Sequence, residues 1–218
     1  MRDVFHHELD QLAERLVEMT GLVGTAMGDA TRALLDADLQ LAESVIAADA
    51  RVDGAQRELD DRAVEILARQ SPVATDLRTV VASLRMSASL ERMGDLARHV
   101  AAIARLRYPR HTVPDELVGT FARMGEVAQT VAAKAGEVIV SRDLAVAEEL
   151  ERDDDELDAL HRAVFTALSA PGWDHPGEVT ADVTLLSRYF ERYGDHAVSV
   201  THRVVFLVTG EWRTHSSV

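Results

Sequence analysis

The chain writes one helical unit twice, and that duplication limits the folds open to it. Leu90-Glu91-Arg92-Met93-Gly94-Asp95 returns 100 residues later as Phe190-Glu191-Arg192-Tyr193-Gly194-Asp195. A second echo lies upstream of each copy. Asp38, Leu39, Ala42 and Glu43 match Asp143, Leu144, Ala147 and Glu148, and Val45, Asp49, Val52 and Asp53 match Leu150, Asp154, Leu157 and Asp158. This second offset is 105. The difference predicts a shorter loop between the second and third helices of the second copy. Two tandem repeats are expected, residues 1–109 and 110–218.

The apolar period is helical throughout. Val45, Val52, Leu59 and Ile66 recur every seven residues, as do Leu150, Leu157 and Val164. Breakers are few. Ser71-Pro72 reads as an N-cap followed by proline at the first helical position, and Pro114-Asp115-Glu116 opens another helix with acids at its positive end. PGWDHPG at 171–177 is a loop, and Gly210 is a candidate C-cap. Six helices are predicted, near 3–35, 38–69, 72–108, 114–141, 143–169 and 179–209. Rods of thirty residues, about 45 Å long, pack antiparallel when short links join them. The fold class is all-α: two tandem three-helix bundles related by internal duplication.

Composition narrows function. Apolar residues make up 47% of the 218, enough for a large core, while aromatics are only 5%, which favours Ala/Val/Leu helix packing. A net charge of −14 repels nucleic acid and anionic lipid, and suits cations as partners. The absence of cysteine excludes disulfides and thiolate metal sites. The amino-terminal stretch is charged throughout and no apolar run is long enough to insert in a bilayer, so a cytoplasmic protein is expected.

Glu91 and Asp95 stand one turn apart, on a line that begins with Leu77 and Leu84. Asp49 lies between Val45 and Val52 at seam spacing, with Asp53 one turn on. Asp154 and Asp158 repeat that pair, Glu191 and Asp195 repeat the first, and His161 shares the face of Asp158. Each half thus holds two like-charged pairs on neighbouring helices. Such pairs repel, more strongly beside an apolar seam, unless cations or protons compensate. Oxygen-rich clusters of this kind suit Mg²⁺, Mn²⁺, Fe or Zn. The alternative is a solvated acidic face, with Arg98 neutralising Asp95 and Arg188 neutralising Glu191. Those arginines, however, are matched by Val198 and Ala88 in the other copy, whereas the acids recur in both.

The stretch from Ser71 to Ala101 resembles the third helix of PhoU-family proteins, accessory regulators of bacterial phosphate uptake. The matching residues are Pro72, Ala74, Asp76, Leu77 and Arg78, then Leu90, Glu91, Arg92, Gly94 and Asp95, with Phe190 to Asp195 as the second copy. The resemblance covers the whole chain. It implies two three-helix bundles side by side, and metal ions, in some members multinuclear clusters, on the acidic motifs. Glu91, Asp95, Glu191 and Asp195 would be the motif ligands, with Asp49, Asp53, Asp154 and Asp158 as neighbours. It further implies a homodimer held at the inner face of the membrane through its partners, the ATP-binding subunit of the Pst phosphate transporter and a PhoR-type histidine kinase. Where the family often has Asn four residues after the motif Asp, this chain has His99 and Ser199. His99 would add a nitrogen ligand and favour Zn or Fe, unless it is simply an exposed or hydrogen-bonded histidine.

The leading expectation is therefore a non-enzymatic, metal-binding adaptor that restrains phosphate uptake and the phosphate-starvation response. Neither a nucleotide-binding phosphate loop nor any Glu-x-x-His occurs in the chain. A carboxylate-bridged oxidase or phosphohydrolase is the alternative, and its nearest matches are Asp158-x-x-His161 and Asp3-x-x-His6. A helical scaffold without metal is the third reading.

Overall fold

The computed structural model describes residues 2–211, with side chains from His7 onward, so Asp3 and His6 lie outside the described side chains. Six helices follow in order: α1 Arg2–Asp36, α2 Leu39–Gln70, α3 Ala74–Arg107, α4 Asp115–Ser141, α5 Leu144–Leu168 and α6 Gly177–Thr209. Among the described residues there is no strand, and no helix is long and apolar enough to cross a membrane.

Helix ends follow local chemistry. Asp38 and Asp143 each cap a helix, accepting from Leu41 N–H at 3.0 Å and Ala145 N–H at 2.8 Å. Gly210 closes α6 with φ of 76°, as its sequence position predicts. Ser71-Pro72 does not cap α3. Ser71 instead ends α2 in the left-handed region, and α3 begins after Val73.

The connection predicted to be shorter in the second half is longer: it spans 169–176, against 71–73 in the first. The missing residues come from the helices. α5 has 25 residues where α2 has 32, because the proline- and glycine-rich loop halts it early. Trp173 fastens that loop, its indole N–H donating to Thr180 Oγ1 at 2.8 Å.

α1, α2 and α3 pack on one another, as do α4, α5 and α6, and the two bundles join through α1 against α4 and α3 against α6. α2 and α5 are the outer helices. Their heptad residues Val45, Val52, Leu59, Ile66, Leu150, Leu157 and Val164 are all buried. One continuous core spans both bundles.

The α1–α4 crossing is tight because glycine faces threonine. A β-carbon on Gly136 would overlap Thr20, and one on Gly125 would overlap Thr31. The offset of 105 carries Thr20 to Gly125 and Thr31 to Gly136, so a pseudo-twofold relation exchanges the two contacts. α3 touches α1, α2 and α6 at once, and accordingly buries small residues such as Ser83, Ser87, Gly94 and Ala97.

Candidate metal centres at the α2–α3 and α5–α6 seams

The line through Leu77, Leu84 and Glu91 runs along the rim of the core. Leu77 is exposed, and Leu84 and Glu91 are half-buried. The seam itself is one step round the helix, at Val80, Ser83, Ser87, Leu90, Met93 and Gly94. The motif acids therefore sit where apolar packing meets solvent. The partner helix brings its own acids to the same border.

In the first half Asp49 and Asp53 of α2 meet Glu91 and Asp95 of α3. Burial pushes the Glu91 carboxyl up, and Asp95, Asp53 and Asp49 add repulsion. Burial also raises Asp49; Arg98 opposes the rise without cancelling it, and Asp53 and Asp95 add to it. Asp95 goes the other way: burial would raise it, but Arg98 and Arg92 together hold it below the usual range. The cause is geometric. Arg98 Nε forms an ion pair with Asp49 Oδ2 at 2.7 Å and its Nη2 donates to Asp95 Oδ1 at 2.6 Å, a clamp across the two helices. Arg92 Nη1 reaches Asp95 Oδ2 at 2.8 Å.

The second half assembles Asp154 and Asp158 of α5 with Glu191 and Asp195 of α6, but lacks the clamp. Position 198 holds a buried valine. Arg188 bonds to Glu191, and Arg162 stands 3.8 Å from Asp158, each on the same helix as its partner. Asp154 is 7% exposed, and its Oδ1 is buried with no hydrogen-bond donor; Glu191 Oε2 is likewise without one. Burial first, then repulsion from Asp195, Asp158, Asp155 and Glu191, pushes the Asp154 carboxyl up to about 8. Burial and Asp195 raise Glu191 as well, against the pull of Arg188.

Among the described residues no three Asp, Glu or His side chains stand as a formed metal site. The donors nevertheless fit a hard cation. They are all carboxylate oxygens, they repel one another, and two buried oxygens in the second half lack any donor.

The two histidines singled out in the sequence, His99 and His161, make contacts of their own, although Asp158 still acts on the His161 ring. His99 packs against Tyr189 of α6, with ring centroids 5.3 Å apart. His161 Nδ1 is 3.0 Å from Ser187 Oγ, and its ring meets Phe165 edge-on. Burial and Arg188 lower the His161 pKa.

Two features escaped the sequence reading. The motif glycines make room for the acid of the neighbouring helix: a β-carbon on Gly94 would lie 3.3 Å from Asp49 Oδ1, and one on Gly194 would overlap Asp154 Oδ1. The signal was there, since a helix-interior glycine costs about 1 kcal/mol and this one is kept in both copies. The second feature is Arg107 at the end of α3, whose Nε and Nη2 grip Asp182 of α6 at 2.6 and 3.1 Å, tying the halves together. Seventy-five residues separate the pair, and no local pattern announces it.

Comparison with known proteins agrees with this architecture. The family model for the PhoU domain matches residues 16–104 and 121–204. The phosphate-specific transport system accessory protein PhoU homolog 2 of Mycobacterium tuberculosis is 48% identical over 210 residues, covering 96% of this chain and 99% of that protein. PhoU homolog 1 of Mycobacterium leprae is 45% identical over 218 residues, 100% of this chain and 98% of the relative. The crystal structure of PhoU from Pseudomonas aeruginosa superposes with a TM-score of 0.81 at 29% identity, over 95% of this chain and all of that one. The phosphate transport system regulatory protein PhoU from Streptococcus pneumoniae shares the fold with a TM-score of 0.86 at 22% identity, over 96% and 99%.

Proposed function

Because this chain belongs to the PhoU family, we propose that it is an accessory regulator of a phosphate-specific transport system. The observation that carries this is the match along the whole chain to proteins of that description, at 42 to 48% identity. Those relatives are accessory proteins of transport, which sets aside the oxidase or phosphohydrolase alternative.

The protein restrains phosphate uptake and the starvation response by linking the ATP-binding subunit of the transporter to a PhoR-type sensor kinase, as a homodimer at the cytoplasmic face. Divalent cations (Mg, Mn, Fe or Zn) on Asp49, Asp53, Glu91 and Asp95, and on Asp154, Asp158, Glu191 and Asp195, relieve repulsion at the α2–α3 and α5–α6 seams. Cation binding thereby fixes the surface offered to partners. Support comes from the carboxylates drawn together at both seams, of which Asp49, Glu91, Asp154 and Glu191 are raised by burial and by repulsion from their neighbours.

The test replaces the chromosomal gene with wild type or with a variant carrying Glu91→Gln, Asp95→Asn, Glu191→Gln and Asp195→Asn. Phosphate uptake, a starvation-promoter reporter and metal content are then measured in high phosphate. The variant is expected to fold, to purify without metal and to leave the reporter on. Recovery of neither transporter subunit nor kinase with the wild-type protein would count against the adaptor role. Absence of metal from wild type, with none taken up in calorimetry, would remove the cation from it.

A further inference from the structure

The two acidic clusters occupy equivalent places in the two bundles, yet their charge is balanced differently. Between α2 and α3, one guanidinium touches an acid on each helix, Asp49 at 2.7 Å and Asp95 at 2.6 Å. Between α5 and α6, the equivalent residue is Val198, which is buried and carries no charge. Arg188 and Arg162 do not substitute for it, because each pairs within its own helix. Asp154 is more than nine-tenths buried, and its Oδ1 faces the α6 backbone at Gly194 with no donor. The chain therefore supplies a positive charge that bridges both helices at the first seam, whereas at the second its arginines each stay on one helix and leave Asp154 unpaired.

We propose that Arg98 is a tethered counter-cation that closes the first cluster, and that a soluble divalent cation is taken up at the second alone, by Asp154, Glu191 and Asp195. This inference rests on the cation reading above and narrows it from two equal centres to one. The chemistry is that of a hard cation with carboxylate oxygens; Mn²⁺ is the probe of choice because its spectrum reports coordination. At the first seam an incoming cation must displace a guanidinium held by two close ion pairs on a side chain that cannot diffuse away. At the second seam an incoming cation satisfies an oxygen that otherwise has no partner.

The experiment titrates Mn²⁺ into full-length protein stripped with EDTA, following stoichiometry and affinity by calorimetry and the bound ion by electron paramagnetic resonance. Wild type is expected to bind at the second half only. Asp154→Asn should weaken that binding by at least about tenfold, whereas Asp49→Asn should leave it within about twofold. Arg98→Met, which keeps the aliphatic stem, should add binding that Asp49→Asn then removes. Helix content by circular dichroism checks that each variant folds. Equal weakening by Asp49→Asn and Asp154→Asn in the wild-type background would overturn the inequality while leaving the cation reading intact. Failure of both wild type and Arg98→Met to bind Mn²⁺ would overturn the cation reading itself, and this inference with it.

Discussion

Gly194 lies so close to Asp154 that a single methyl group on the glycine would overlap Oδ1 of the carboxylate, and would also press on Leu157 Cδ1 at 2.9 Å. The equivalent glycine of the first half is less crowded, with Val52 Cγ1 at 3.2 Å and Asp49 Oδ1 at 3.3 Å from the same methyl. The glycine and the acid are thus one device on two helices. Gly194→Ala is expected to destabilise the protein by about 1–3 kcal/mol, since overpacking outweighs the helix-propensity gain. Gly94→Ala should fall within about 1 kcal/mol of wild type, because the two effects nearly balance there. Denaturant unfolding in EDTA measures both, and a larger loss at Gly94 would contradict the packing argument.

Asp49 and Asp154 occupy matching places, but their removal should differ in size. Asp49→Asn takes away a carboxylate whose burial Arg98 offsets in large part, and should leave stability within about 1 kcal/mol of wild type. Asp154→Asn takes away a buried charge that has no positive partner, and should raise the unfolding midpoint of metal-free protein above pH 8. Paired melts in EDTA at that pH check the difference, and a gain at Asp49 as large as that at Asp154 would contradict it.

Much of this was legible in the chain. Heptads at Val45 to Ile66 and Leu150 to Val164 marked the buried seams, and the repeated acids marked both clusters, because each rests on spacing within one helix. The internal repeat also fixed which residues correspond. Ser71-Pro72 misled, since a left-handed C-cap and an N-cap draw on overlapping residue types. The loop length misled for another reason: an offset between copies counts residues without saying whether helix or loop has lost them. The spacing offers Arg98 as a neutralising partner for Asp95 one turn away on its own helix, and that pair forms. Its reach to Asp49 depends on how α2 is rotated against α3, and the Arg107–Asp182 clasp depends on how the bundles dock. Both are tertiary facts that a helical period does not encode.

Stability of the metal-free protein should fall as pH rises from about 4 to about 8. The Asp154 carboxyl ionises near 8 in the folded chain, against an ordinary value of 3.8. Across that window the folded state holds a proton that the unfolded state has released. The stability linked to Asp154 is complete below the lower value and is lost as pH climbs through the higher one. Each pH unit in the window removes up to about 1.4 kcal/mol. Asp154→Asn should flatten this part of the profile, and saturating Mn²⁺ should do the same by favouring the ionised form. Urea midpoints at unit steps of pH, with and without EDTA, supply the measurement.

Tyr193 stands in the second copy where the first has Met93, and among the described residues it is the largest of the fully buried side chains. Its hydroxyl has no hydrogen-bond partner, and burial drives its pKa far above the ordinary value. A buried hydroxyl left unpaired costs about 1–3 kcal/mol relative to one in water. Tyr193→Phe keeps the ring that fills the core and removes only that oxygen, so it should be neutral or stabilising by about 1 kcal/mol. Tyr193→Ala, by contrast, opens a cavity and should cost about 3–5 kcal/mol. A loss of stability in the phenylalanine variant comparable to that in the alanine variant would mean that the hydroxyl is satisfied in solution, most simply by a buried water, and thermal melts of the three proteins decide between these outcomes.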